Sequence, residues 1–228
     1  MYQPVWFDGK EFDARCSKLV CIGRNYAEHA KELNNPIPKA PILFIKPEST
    51  IQTSEQVVIP REGIHYEAEL TVLIGRDINV DAPVDVSQDI AGLGLGLDLT
   101  DRGLQAKLKE KGHPWERAKS FDGASVLTSF IPFSDQDLNQ INFQLLINDE
   151  VVQDGMTSDM LFDIPALIQE VTSVFSLRKG DILFTGTPKG VGVLKNNDRL
   201  NLSLKAGEQQ IDFPQYNVVL CDRLVGDR

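Results

Sequence analysis

Strand signals dominate the pattern of apolar and polar residues along this chain: short apolar runs, some of them alternating with period two as in strands that bury one face. Strand-like runs are VWF, KLVCIG, PILFIKP, QVVIP, YEAELTVLIG, AGLGLGLDL, SVLTSFIPF, NFQLLINDEVVQ, DILFTGTP, DRLNLSLKAG and VVLCDRL, punctuated by Gly, Pro and Asn-Asp turns. INDEVVQ, with Asn148-Asp149 between two such runs, predicts a hairpin, so the sheet is expected to be antiparallel or mixed. Helical spacing is confined to three places. After Asp163, a candidate N-cap followed by Pro165, the residues Ile164, Leu167, Ile168, Val171, Val174 and Phe175 form an apolar stripe. Residues 100–111 predict a second helix, stopped by Gly112 and Pro114, with Leu104 and Leu108 inward; a short third one covers 25–33. The pattern therefore predicts a β-rich α+β chain with few covering helices.

Composition narrows this picture. At 228 residues and 42% hydrophobic content the chain can build a sizeable core, and neither a repeat nor a low-complexity linker divides it. The expectation is a single catalytic domain over 1–228, with 1–18 as a short lead-in. A net charge of −10 and a pI near 4.8 argue against nucleic-acid binding, which needs clustered Lys and Arg. Cys16, Cys21 and Cys221 have no zinc-like spacing, so reduced thiols are expected. No run of about 18 apolar residues occurs, and the N-terminus has no basic opening, which sets the expectation of a cytoplasmic protein without membrane attachment.

The segment IHYEAELTVLIG, residues 64–75, carries two acids in a strand pattern. Alternation puts Tyr66, Ala68, Leu70, Val72 and Ile74 on one face and His65, Glu67, Glu69 and Thr71 on the other. Same-face neighbours lie roughly 6.5–7 Å apart, so the two carboxylates can share a cation, or simply face water. In AGLGLGLD, residues 91–98, Gly92, Gly94, Gly96 and Asp98 share one face that is nearly bare backbone. That face allows another element or a ligand to approach, and its first side chain is a carboxylate. Asp98 reads either as a helix N-cap or as a third oxygen ligand. Three carboxylates without a His/Cys pattern suit Mg²⁺ or Mn²⁺ better than Zn²⁺.

In RNYAEHAKEL, His29 and Glu32 are three apart, side by side on a helix, where the acid can orient the imidazole as a base; a solvated helix face is the plain alternative. Arg102 and Gln105 repeat that spacing just after Asp98. Lys119 and Lys46 would suit an anionic ligand beside a metal, or be surface lysines, and His113 reads as a turn residue. FTGTPKGVG, residues 184–192, has the wrong residue order for a phosphate-binding Walker loop, although its amides and the Thr187 hydroxyl could hold a carboxylate.

The stretches CIGRNYAEHAKE, PILFIKP, IHYEAELTVLIG, LGLDLTDRGLQ, PWERAKSFDG and DILFTGTPKGVG, in this order over residues 20–193, resemble the fumarylacetoacetate hydrolase superfamily, specifically its short acylpyruvate hydrolase branch. The resemblance implies a mixed β-roll or sandwich of the family's C-terminal-domain type and a homodimer. It implies Mg²⁺ or Mn²⁺ on Glu67, Glu69 and Asp98, a water-activating pair His29–Glu32 on a lid over 24–36, and Lys119 touching the bound acid. Arg24, Arg102, Gln105 and Thr187 match positions that line the family's site. The activity implied is cleavage of the C–C bond of acylpyruvate-type 2,4-dioxo acids to pyruvate and a carboxylic acid through a metal-bound enolate. The alternative is decarboxylation or tautomerisation of oxaloacetate, or isomerisation of a hydroxymuconate-type acid. A non-catalytic small-acid binder is disfavoured by the His29–Glu32 pair, which a binder would not need.

Overall fold

The computed structural model describes residues 2–134 and 136–221. Among these residues the strands form an eight-stranded, a six-stranded and a three-stranded sheet. The largest runs in the order Ile42–Pro47, Lys18–Gly23, Ile182–Phe184, Ala68–Ile74, Ile90–Asp98, Ser125–Leu127 and Ile51–Gln52, with Ile131–Pro132 also on the glycine-rich strand. Two of its pairings, Lys18–Gly23 with Ile182–Phe184 and Ile51–Gln52 with Ser125–Leu127, are parallel, so the sheet is mixed. The second sheet runs Glu150–Met156, Ile141–Ile147, Arg199–Ala206, Tyr216–Leu220 and Gln56–Ile59, with Gln209–Asp212 added to Arg199–Ala206.

Burial follows from how each strand is covered. Arg199–Ala206 alternates between buried and more exposed residues, as a strand with one solvated face should. Ala68–Ile74 is buried at every position, because both faces of the large sheet are packed. Leu70, Val72, Leu93, Leu95 and Leu97 share a core with Phe143, Leu145, Leu202 and Leu204 of the second sheet. On the opposite face Leu19, Cys21, Phe130, Ile182 and Phe184 form a smaller cluster.

The glycine face of Ile90–Asp98 is filled by aromatic rings. A Cβ on Gly92 would meet Trp6 at 2.7 Å, one on Gly94 Phe130 at 3.0 Å, and one on Gly96 Phe184 at 2.6 Å. The close approach that the glycines permit is therefore made by side chains of the protein itself.

Local signals account for the rest. The hairpin closes at Asn148-Asp149, both with positive φ (52° and 72°), the conformation of a two-residue primed turn. Helix Ile164–Val174 is capped by Asp163, whose Oδ1 accepts from Ala166 N at 2.9 Å, and buries Ile164, Leu167, Ile168 and Val171. Val174 departs from the expected stripe: it is the last helical residue and 60% exposed. Helix Arg102–Glu110 begins later than expected, because residues 100–101 pair as a strand and Asp101, not Asp98, caps Leu104 N at 2.9 Å. Leu108 is buried there and Leu104 half-buried.

The third helix is Ala27–Glu32, shorter than 25–33, since Tyr26 offers no side-chain cap and the Asn25 amide is bonded to the Phe162 and Thr185 carbonyls instead. Of VVLCDRL, residues 222–224 lie outside the described residues. Cys16 and Cys21 are buried free thiols, and Cys221 is an exposed one. No helix among the described residues is long and apolar enough to cross a membrane.

Candidate metal and oxo-acid site

The segment expected as one strand over 64–75 divides at Glu67. Ile64–Tyr66 joins the small sheet with Gly192–Val193 and Thr100–Asp101, and Ala68–Ile74 joins the large one. The pairing register is nevertheless continuous: His65 faces Thr100, Ala68 faces Leu97, and between them Asp98 N donates to the Glu67 carbonyl at 2.8 Å. Glu69 lies opposite Gly96. Opposed residues of an antiparallel pair share a face, so Glu67, Glu69 and Asp98 project together. One carboxylate oxygen from each lies within 4.8 Å of the others, and the three residues are at most 5% exposed.

Three like charges in a dry space need compensation, and three cations supply it. Lys119 Nζ donates to Glu67 Oε2 at 2.6 Å and to Asp98 Oδ2 at 2.5 Å, and Arg102 donates to Glu67 Oε1. Lys46, wholly buried, has Nζ 2.5 Å from Asp98 Oδ1, but its hydrogen bonds run to the carbonyls of Ala124 at 2.5 Å and Leu99 at 3.5 Å. Asp98 Oδ1 thus sits beside a charge yet accepts no hydrogen bond. Glu69 has one backbone donor, Gly186 N at 2.6 Å.

Charge and burial divide the acids. Burial opposes ionisation of Glu67, but Lys119, Arg102 and His29 outweigh it and hold its carboxyl well below the usual range. Burial, then the charges of Asp98 and Glu67, push Glu69 well above it. Burial alone would lower Lys119; Asp98 and Glu67 raise it above the ordinary lysine value.

The donor set fits a hard divalent cation: three convergent carboxylates, one oxygen of which lacks a hydrogen-bond donor, and one acid that resists ionisation until positive charge arrives. Glu67, Glu69 and Asp98 would hold it.

One wall of the cleft above these acids comes from helix Ala27–Glu32. His29 Nδ1 lies 3.2 Å from Glu32 Oε2, and Gly190 N donates to Glu32 Oε1 at 3.0 Å, fixing the acid that orients the ring. Burial lowers the His29 pKa. Arg102 Nη1 donates to Gln105 Oε1 at 2.7 Å, so those two act as one unit. The Thr187 hydroxyl donates to the Ala68 carbonyl at 2.8 Å and accepts from Gln153 Nε2 at 2.8 Å. Arg24 lines the same cleft. All ten residues singled out in the sequence therefore meet in one region, although Glu32 reaches it only through His29. His113 is exposed and elsewhere.

Sequence reasoning passed over several contributors. Phe44 and Trp115 pack edge to face at 5.8 Å and make an aromatic wall, with Lys119 Nζ 5.2 Å from the Phe44 ring. Gly186 has φ of +101°, and a Cβ there would meet Asn25 Cβ at 2.7 Å, so only glycine brings that amide to Glu69. Glycine in FTGTP was the available signal.

A β-rich frame of curled mixed sheets with an acid triad on adjacent strands defines a class, and the chain belongs to it: residues 18–213 match the family described as fumarylacetoacetate (FAA) hydrolase, C-terminal. Among curated relatives, the chain is 41% identical to oxaloacetate tautomerase YcgM of Escherichia coli (strain K12), covering 89% of this chain and 95% of that one. It is 38% identical to a mitochondrial oxaloacetate decarboxylase of Dictyostelium discoideum, over 90% and 95%. Among solved structures, a fumarylpyruvate hydrolase from Pseudomonas aeruginosa, in complex with Mn²⁺ and pyruvate, superposes with a TM-score of 0.85 at 28% identity, covering 96% of each chain.

Proposed function

We propose that the protein is a Mg²⁺- or Mn²⁺-dependent enzyme of 2-oxo dicarboxylates that interconverts the keto and enol forms of oxaloacetate. The observation that carries this reading is the charge count at the floor of the cleft. Lys46, Lys119 and Arg102 already balance Glu67, Glu69 and Asp98 when all three acids are ionised. A divalent cation added to that balanced set leaves the cleft with a net positive charge, which favours a dianion over a monoanionic acylpyruvate. The names of the relatives about 40% identical over most of the chain support the same substrate.

When bound, the cation would supply Lewis-acid polarisation of the 2-oxo group. The proton work falls to His29. Burial keeps its imidazole neutral, and with Nδ1–H donated to Glu32 the lone pair is on Nε2. Nε2 takes a proton from C3 of the keto acid and returns it to the C2 oxygen, so the ring ends neutral. Glu32, fixed by the Gly190 amide, holds the tautomer and steadies the transient imidazolium. Lys119 and Arg102 keep the neighbouring acids ionised and in place.

Cleavage of acylpyruvates is the second reading, favoured by the likeness to the fumarylpyruvate hydrolase and by a base pair equally able to activate water. Metal-stripped and Mg²⁺-reconstituted protein should be incubated with oxaloacetate and with acetylpyruvate, following enol absorbance, substrate loss and pyruvate. Mg²⁺-dependent equilibration of oxaloacetate enol and keto forms, well above acetylpyruvate cleavage, is the expected result. The reverse ranking makes the protein a hydrolase, and dominant pyruvate release from oxaloacetate makes it a decarboxylase.

A further inference from the structure

The floor of the cleft accounts for every charge it holds, but its mouth does not. Arg24 and Lys109 line the same cleft, and neither makes an ion pair among the described residues. Lys109 Nζ donates to a neutral partner, Asn35 Oδ1, at 2.7 Å. Arg24 is half-buried and makes no hydrogen bond among the described residues. Burial lowers the pKa of the half-buried Arg24; Lys109 is exposed, and partial desolvation with the charges of Arg24 and Arg102 lowers its pKa. What sets these two apart is their place: both line the cleft that holds the buried acid triad.

The backbone gives a second, independent indication. Arg24 has φ of +60°, a left-handed conformation that a long side chain rarely adopts. Asn25 enforces it: its side chain donates to the carbonyls of Phe162 at 3.0 Å and Thr185 at 2.9 Å and accepts from Phe162 N at 2.9 Å. A glycine at position 24 would adopt this conformation without strain, yet an arginine stands there. A strained, overdetermined backbone carrying an unpaired cation into a cleft marks a ligand contact.

We propose that Arg24 and Lys109 form a second-anion subsite at the mouth of the cleft, which takes the distal carboxylate of a 2-oxo dicarboxylate while the 2-oxo acid end occupies the floor. The Phe44–Trp115 pair, which lines the same cleft, is apolar and without charge and suits the carbon chain joining two carboxylates. The subsite also reverses the sign of the local field at the entrance of an acidic protein, so that a dianion is drawn in rather than repelled.

This inference rests on the proposed oxo-dicarboxylate reading, and a pair of stable ligands separates the two. Malate and 2-hydroxybutyrate share a four-carbon skeleton and a 2-oxygen beside a carboxylate; only malate has a distal carboxylate. Calorimetric titration of the Mg²⁺-loaded protein should show malate bound at least about tenfold more tightly, a margin of about 1.4 kcal/mol. In the double variant Arg24→Gln/Lys109→Gln the preference should fall below about threefold, and Lys109→Glu should abolish or invert it, each variant being checked for unchanged thermal unfolding. Equal binding of the two acids by the wild type, or a preference that survives the double variant, overturns the subsite. If the preference behaves as expected but the wild type does not equilibrate oxaloacetate, the subsite stands and the assigned reaction fails.

Discussion

Floor and mouth of the cleft are built by different means. Glu69 and Asp98 stand on paired strands of the large sheet, Glu67 at the joint between two sheets, and each is locked by buried partners. The wall opposite is a six-residue helix without a side-chain cap, held by the Glu32 contact to Gly190 N and by the Lys189–Glu28 pair, whose side chains are 66% and 64% exposed. The difference separates two tasks. A cation site needs oxygens fixed to fractions of an ångström, which paired strands supply, whereas a proton shuttle must admit and release substrate.

The largest effect should come from breaking the floor. Asp98→Ala removes the counter-charge of buried Lys46 and Lys119. It is expected to cost about 3–5 kcal/mol in urea unfolding and to abolish Mg²⁺-dependent turnover. An unchanged midpoint would mean that floor and mouth are not distinct in stability.

His29→Ala should do the reverse, lowering turnover by about 10²–10⁴-fold with a much smaller shift of the unfolding midpoint. Because burial lowers the His29 pKa, the acid limb of the rate profile should lie below the ordinary value of 6.5. Glu32→Gln removes a contact that raises this pKa, so the limb should move further toward acid. The same variant should abolish any acylpyruvate hydrolysis while leaving part of an oxaloacetate decarboxylation, which needs no activated water. The stability sign is also fixed: the unfolded chain takes up a proton at His29 below 6.5 while the folded one resists, so stability falls as pH drops below that value.

Gly96→Ala tests the support beneath the floor. Its Cβ would lie 2.6 Å from the Phe184 ring and 2.9 Å from the Val126 carbonyl, opposite Glu69. A loss of about 1–3 kcal/mol is expected, with weaker Mg²⁺ binding by calorimetry. The smallest effect belongs to the exposed tie: Lys189→Gln should leave the unfolding midpoint where it is and change KM for oxaloacetate no more than about twofold, because solvent screens such pairs.

Much of this arrangement is legible in the chain. A short apolar run marked the strand at 18–23, and alternation marked those at 90–98 and 141–147, since strand side chains point to opposite faces with period two. The i, i+3 spacing of His29 and Glu32 gave their contact without any tertiary information. Other features were not legible. Glu67 falls between two sheets because Ile64–Tyr66 finds partners in Thr100–Asp101 and Gly192–Val193, and no local pattern records that. The glycine face of 90–98 announced close approach but not what approaches; Trp6, Phe130 and Phe184 come from distant stretches of chain. Lys46 sits in a strand whose neighbours are partly exposed, and its complete burial follows only from the approach of residues 98–124.

By itself, then, the sequence determined where strand-forming segments lie, that Asp163 caps the long helix, and that three acids and a His–Glu pair were available, because those properties depend on backbone sterics and near-neighbour spacing. Tertiary structure alone decided that the acids are dry, which three cations neutralise them, and that Arg24 and Lys109 are left unpaired at the mouth. Charge compensation is a sum over groups brought together from all parts of the chain, and desolvation multiplies each of its contributions; neither quantity exists until the chain is folded.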